Sequence, residues 1–131
     1  MHGCADTTSS VSDLAISLGV DLVVSGHDHN YSRTHQIRGT KASPVVVDTD
    51  NVYAPQTETT KGSVFAVVGN GGHKPRTIGT KTSIYASANG TNSAGGFVYG
   101  YGEVVATQTS FTYQFVSSGS PALTDNFTIT R

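Results

Sequence analysis

The residues best equipped for chemistry lie in one short stretch, Gly26-His27-Asp28-His29. Neutral imidazole is the commonest side-chain metal ligand. In an extended chain residues i and i+2 point to the same side, so His27 and His29 are predicted to offer their rings to one locus while Asp28 faces away. Gly26 ahead of them lets the backbone turn sharply. The competing reading is a polar surface loop that holds two histidines by chance. Context tells against it, because the pair follows directly on the apolar run Val20-Asp21-Leu22-Val23-Val24. No Gly-x-Ser-x-Gly elbow, Cys-x-x-Cys pair or phosphate-binding loop occurs anywhere in the chain, so no catalytic nucleophile or base is assigned.

The elements that must position this loop are marked by spacing and punctuation. Ser10-Val11-Ser12-Asp13 has the form of a capping box. Val11, Leu14, Ala15 and Leu18 then recur at i, i+3, i+4 and i+7, which predicts a helix over about 10–19 with that face buried and Gly19 at its end. The run 20–24 predicts a buried strand packed against the helix, an α/β unit whose strand leads straight into the histidine loop. Further on, 32–37 reads as extended and Pro44-Val45-Val46-Val47 as a strand start or edge, with 48–61 a surface loop. Ser63 to Val68 is a second buried strand, closed by Gly69-Asn70-Gly71-Gly72, and 73–96 reads as a long loop. The last third is β: Phe97, Tyr99 and Tyr101 alternate, as do Phe111, Tyr113 and Phe115, and Phe127 and Ile129, so one face of each strand is predicted to pack. One sheet would hold the 20–24 and 63–68 strands and a second the strands after 97. The fold class is α/β, β-rich after residue 60.

Residues 20–33, ending Ser25-Gly26-His27-Asp28-His29-Asn30-Tyr31-Ser32-Arg33, closely resemble the last metal-binding motif of the calcineurin-like metallophosphoesterases. The likeness is greatest to the purple acid phosphatase branch, in which Gly-His-x-His is followed by an aromatic residue and an Arg. The resemblance implies the C-terminal part of a β-sandwich catalytic domain flanked by helices, so that 1–131 would be a single partial domain. It implies a dinuclear metal centre, iron with zinc, manganese or a second iron, that activates a hydroxide for attack on phosphorus. His27 would ligate one metal and His29 the other. If Met1 is internal to a longer protein, His2 stands where the family places a further ligand; if Met1 is an initiator, the strand before it is absent. Asp28 is then a candidate to accept a hydrogen bond from an imidazole and orient it, or else a loop carboxylate with no role. Tyr31 and Arg33 are expected to pack and pair behind the loop. Gly69-Asn70-Gly71-Gly72-His73 is not the family's Gly-Asn-His motif, since its His comes too late and on the wrong side of Gly-His-x-His. It is expected to be a glycine-rich loop approaching the metal site, with His35 and His73 as plain loop or strand residues.

Composition narrows the partners. With 131 residues and 13.6 kDa the chain makes one modest domain. Charged residues are 13% and the formal net charge is −1, and the eight Lys and Arg are scattered singly, which excludes a phosphate-tracking nucleic-acid surface. No apolar run reaches the ~20 residues of a membrane helix. Polarity comes from 15 Ser and 18 Thr. Together with Asn-x-Ser/Thr patterns at Asn30, Asn89 and Asn126 this favours a secreted or extracellular protein, while the single Cys4 leaves no internal disulfide to support it. The expected substrate is a small-molecule phosphate ester. The family's Asp-x-His, Gly-Asp and Gly-Asn-His ligand motifs are missing from the sequence, so the chain is expected to need an N-terminal half and to be inactive alone. A non-catalytic β-rich binding module, or a truncated relative without activity, are the alternatives.

Overall fold

The computed structural model describes residues 11–53 and 62–130. Among them one helix, α1 (Val11–Ser17), precedes ten strands: β1 (Leu22–Ser25), β2 (Tyr31–Thr34), β3 (Gln36–Thr40), β4 (Ser43–Asp48), β5 (Val52–Tyr53), β6 (Val64–Val68), β7 (Tyr85–Asn89), β8 (Gly100–Ala106), β9 (Ser110–Ser117) and β10 (Asp125–Thr130). The strands build one four-stranded sheet in the order β1-β6-β2-β7, a second in the order β5-β10-β9-β8, and the hairpin β3-β4. This is the mostly β, sandwich-like architecture expected of the sequence, and the two predicted sheets each contain the strands assigned to them. Among the described residues no helix is long and apolar enough to cross a membrane.

Helix α1 ends as its sequence dictates. Gly19 takes φ 67, Gly19 N–H donates to Ile16 O at 3.1 Å and Val20 N–H to Ala15 O at 3.0 Å, the paired bonds of a Schellman stop. Ser10, the proposed cap, lies outside the described residues. The helix does not bury the face its periodicity suggested. Ala15 is buried, but Leu14 is 54% and Leu18 70% exposed, and Val11 is exposed as well. The side turned inward carries Ser12, Ala15 and Ile16, packed with Ile37, Phe65 and Val23. The apolar stripe therefore lies on the other side of the helix, uncovered by any described residue.

Other expectations are corrected by where strands sit. β1 is at a sheet edge, so Val20 and Val24 are exposed rather than buried. The region 48–61 is not all surface loop: β5 pairs in parallel with β10, and Tyr53 is fully buried. The stretch 73–96 contains β7, whose Tyr-Ala-Ser-Ala-Asn sequence gives little strand signal but which pairs antiparallel with β2. β8 is the outer strand of its sheet, and its alternation does not produce a packed face: Tyr99 and Tyr101 are both exposed.

The main core lies between the two sheets. Tyr31 and Val64 from the first meet Tyr53, Tyr113, Phe115, Phe127 and Ile129 from the second. Neighbouring β6 residues serve opposite sides, Val64 in this core and Phe65 under α1, as period-two alternation requires. Through the middle runs a buried polar staple. Arg33 donates from Nε to Asp125 Oδ2 at 2.8 Å and from Nη2 to Asp125 Oδ1 at 2.6 Å, from Nη1 to Tyr53 Oη at 3.2 Å and from Nη2 to Asn51 Oδ1 at 3.1 Å. Tyr31 Oη donates to Asp125 Oδ2 at 2.5 Å, and the guanidinium carbon lies 5.1 Å from the centre of the Phe127 ring. Burial, and then the Asp125 charge, push the Tyr31 hydroxyl well above the usual phenol range. Burial opposes the Arg33 charge, but the bonds to Asp125 and its carboxylate charge more than offset this. Tyr31 and Arg33 thus pack and pair behind the histidine loop, as their position in the sequence implied.

His35, between β2 and β3, has a buried Nδ1 with no hydrogen-bond partner. Burial, and next the Arg33 charge, hold its pKa below the ordinary histidine value, against weaker opposing effects of Asp48 and Asp125. The unfolded chain therefore binds a proton that the folded one resists, and stability is lost as pH falls through about 6.5. In urea denaturation at about pH 7.5 and about pH 5.5, the midpoint is expected to drop less for His35→Phe than for the wild type. An equal drop in both would remove His35 as a source of acid sensitivity.

Candidate functional site

β1 and β6 are parallel, with Leu22 opposite Val64 and Ser25 opposite Val67, so their carboxyl ends lie together. The segments leaving those ends are 26–30 and 69–77, and such ends are where open sheets carrying helices build their sites. The chain must also reverse within 26–30, because β2 returns on the other side of β6 and antiparallel to it.

This reversal replaces the extended geometry expected for Gly26-His27-Asp28-His29. Asp28 N–H donates to Gly26 O at 3.0 Å and Asn30 N–H to Asp28 O at 2.8 Å. Two successive three-residue turns result, with His27 at the centre of the first and His29 at the centre of the second. His27 has φ 73, the only non-glycine residue with positive φ among those described. Left-handed backbone at a non-glycine residue costs on the order of 1–3 kcal/mol and clusters at functional sites; His is among the residue types that adopt it more readily.

The glycine-rich segment is fastened to this loop. Gly69 N–H donates to Asn30 O at 3.0 Å, Arg76 N–H to His29 O at 2.9 Å and Asn30 Nδ2 to Thr77 O at 3.3 Å. At Gly69 the approach is so close that a Cβ would lie 1.7 Å from the Asp28 carbonyl oxygen. The expected approach of the glycine-rich loop to the histidines is therefore a direct backbone contact.

His29 Nδ1 lies 3.0 Å from the carbonyl oxygen of Lys74. A carbonyl only accepts, so His29 carries its proton on Nδ1 and leaves the Nε2 lone pair free. Metal-ligating histidines characteristically donate their other ring N–H to a carbonyl or carboxylate in this way. His29 is thus in the form a metal ligand requires, and His27, exposed at the apex of its turn, is accessible to one. The acceptor that orients His29 is a backbone carbonyl. Asp28 lines a cavity of about 210 Å³ with Asn30, Ser32, Lys81 and Tyr85. His2 lies outside the described residues. Among the described residues no three His, Cys, Asp or Glu side chains are grouped closely enough to hold a metal ion by themselves.

Sequence reasoning missed His73. Its Nδ1 is 3.1 Å from His29 Nδ1, and the two rings lie 4.2 Å apart between centroids at 45°. The sequence brings the glycine-rich loop toward the histidines but does not mark His73 as the partner of His29, since the contact joins residues 44 positions apart.

No protein-family profile matches the chain. Two uncharacterized proteins from two strains of Mycobacterium tuberculosis are each 42% identical to it over 57 residues, 40% of this chain and 10% of theirs. The solved structure of a purple acid phosphatase from yellow lupin (Lupinus luteus) seeds superposes with a TM-score of 0.72 at 21% identity, covering 95% of this chain and 20% of that one. The chain therefore has a purple-acid-phosphatase-like fold, and it spans about a tenth of the mycobacterial proteins and a fifth of the lupin chain.

Proposed function

We propose that this chain supplies His27 and His29 to a dinuclear metal centre in a phosphoric ester hydrolase of the purple acid phosphatase type. The remaining ligands come from polypeptide beyond the described residues. The observation that carries the reading is the bond from His29 Nδ1 to the Lys74 carbonyl, which frees Nε2 at the carboxyl end of a parallel strand pair. When bound, the two ions, iron with zinc, manganese or a second iron, would generate a hydroxide near neutral pH and neutralise phosphoryl charge.

The chain's own residues do the positioning. The turn at His27 holds its ring outward at the strand end, the Lys74 carbonyl fixes the proton of His29, and the Gly69 contact sets the distance between the two loops. Arg33 and Asp125 anchor the base of the loop through β2 and β10. The substrate class is a small-molecule phosphate ester. Metal ions would carry its negative charge, which suits a chain with only 13% charged residues and no clustered basic surface. The abundance of Ser and Thr supports a secreted or extracellular setting.

Calorimetric titration of the chain with zinc or manganese tests the reading. His27→Gly keeps the positive φ and removes the imidazole, and His29→Ala removes the second ring. Each is expected to weaken binding on the order of 100-fold, since even the loss of an outer partner of a ligand costs 10–100-fold. Unchanged affinity in the double variant would sink the assignment. The chain alone, with iron, zinc or manganese added, is expected to leave p-nitrophenyl phosphate intact; robust turnover would show that it holds a complete site.

A further inference from the structure

The contact between His73 and His29 has a definite protonation pattern, set by its third member. Because Lys74 O can only accept, the proton at this contact sits on His29 Nδ1. His73 Nδ1, 3.1 Å from that N–H, must present its lone pair and hold its own proton on Nε2. One N–H of His29 is thus shared by two acceptors from consecutive residues of the glycine-rich segment. One exposed acceptor, worth only about 0.5–1.5 kcal/mol, biases the tautomer but lets the ring swing off it; two acceptors in different directions restrain the turn about Cβ–Cγ and so hold the proton in place.

We propose that His73 is a positioning residue: with the Lys74 carbonyl it holds His29 in the Nδ1–H tautomer and fixes the ring's rotation, so that Nε2 faces the metal. The functional consequence rests on the metal-binding reading of His29. The frame that delivers His73 does not depend on its side chain, because backbone bonds from Gly69 to Asn30 and from Arg76 to His29 bracket it. His73 is itself exposed, so removing its ring leaves no cavity in the core.

The test uses the chain labelled with ¹⁵N at histidine. Long-range ¹H–¹⁵N correlation in the absence of metal distinguishes a protonated ring nitrogen from a bare one. His29 is expected to show protonated Nδ1 and bare Nε2 in the wild type, and a mixture of the two neutral tautomers in His73→Ala. His73→Asn, whose amide oxygen can accept, is expected to restore part of the preference. Zinc affinity is expected to fall about 10–100-fold in His73→Ala and to recover partly in His73→Asn. If either readout is unmoved in His73→Ala, the proposal is overturned while the ligand assignment stands on the His27 and His29 variants. If the chain by itself binds no zinc, as a site completed by further polypeptide allows, the tautomer shift alone decides: an unchanged tautomer in His73→Ala overturns the proposal and a mixture supports it.

Discussion

Asp125→Ala is expected to destabilise the protein by about 3–5 kcal/mol, the cost of breaking a buried ion pair by removing one partner. Against the ~5–15 kcal/mol that holds a typical domain folded, this is a large share. The reason lies in what is left behind. Arg33 is 1% exposed, and the loss of Asp125 takes the acceptor from two of its nitrogens and from the Tyr31 hydroxyl together. The guanidinium would stay charged and buried without its counter-ion, held only by neutral acceptors such as Tyr53 Oη and Asn51 Oδ1. Replacing both partners, as Arg33→Met with Asp125→Leu, is expected to cost less than either single truncation, because it removes the charge along with its partner. Urea denaturation followed by tyrosine fluorescence or circular dichroism reads both, the chain having six Tyr and no Trp. A loss below about 1 kcal/mol for Asp125→Ala would place the pair among ordinary surface contacts.

Gly69→Ala is expected to separate the histidine loop from the glycine-rich segment and to lower metal affinity on the order of 100-fold, as misplacements of about 1 Å do at precisely organised sites. A Cβ at this position would lie 1.7 Å from Asp28 O and 2.6 Å from Asp28 C. Both atoms are backbone, so no side-chain rotation relieves the clash. The bond from Gly69 N–H to Asn30 O would stretch, and Lys74 and His73 would be drawn away from His29. Overpacking of this kind costs roughly 1–3 kcal/mol or more in stability. Gly71→Ala is the control: a Cβ there meets nothing within 4 Å, and neither stability nor affinity should change. Equal behaviour of the two variants in calorimetry would show that the contact between the loops does not organise the site.

The site was partly legible because few residue types bind metals and because the apolar runs around Gly26 and Gly69 have sharp ends. Tyr31 and Arg33 could be assigned to packing and pairing, but not their partner, because Asp125 stands 92 residues from Arg33 and looks in sequence like any acidic residue at a strand start. His73 was hidden in the same way. Lys74 contributes a carbonyl, which no side-chain pattern announces. The extended form expected of His27 to His29 failed because it ignored the reversal between β1 and β2 around β6. In the fold, periodicity identified α1 and β8 but not which neighbours they have. Leu14 and Leu18 repeat at the right interval on a face that nothing described covers, and Tyr101 alternates correctly on a strand that lies at an edge. β7 and β5 escaped because after Tyr85 the one holds only Ala, Ser and Asn, which carry little strand propensity, and the other is two residues long.

The distance along the chain between Arg33 and Asp125 also sets an order of events on the ribosome. At about 5–20 residues per second, the 92 residues between them take roughly 5–18 s to synthesise. During that interval β2 exists with its arginine and without the carboxylate that must receive it. Closing the inner face of the first sheet before β10 emerges would bury the Arg33 guanidinium without its counter-ion, a cost that favours keeping this region hydrated until then. Among the described strands, β10 is in this sense the one that admits the first sheet to its final form.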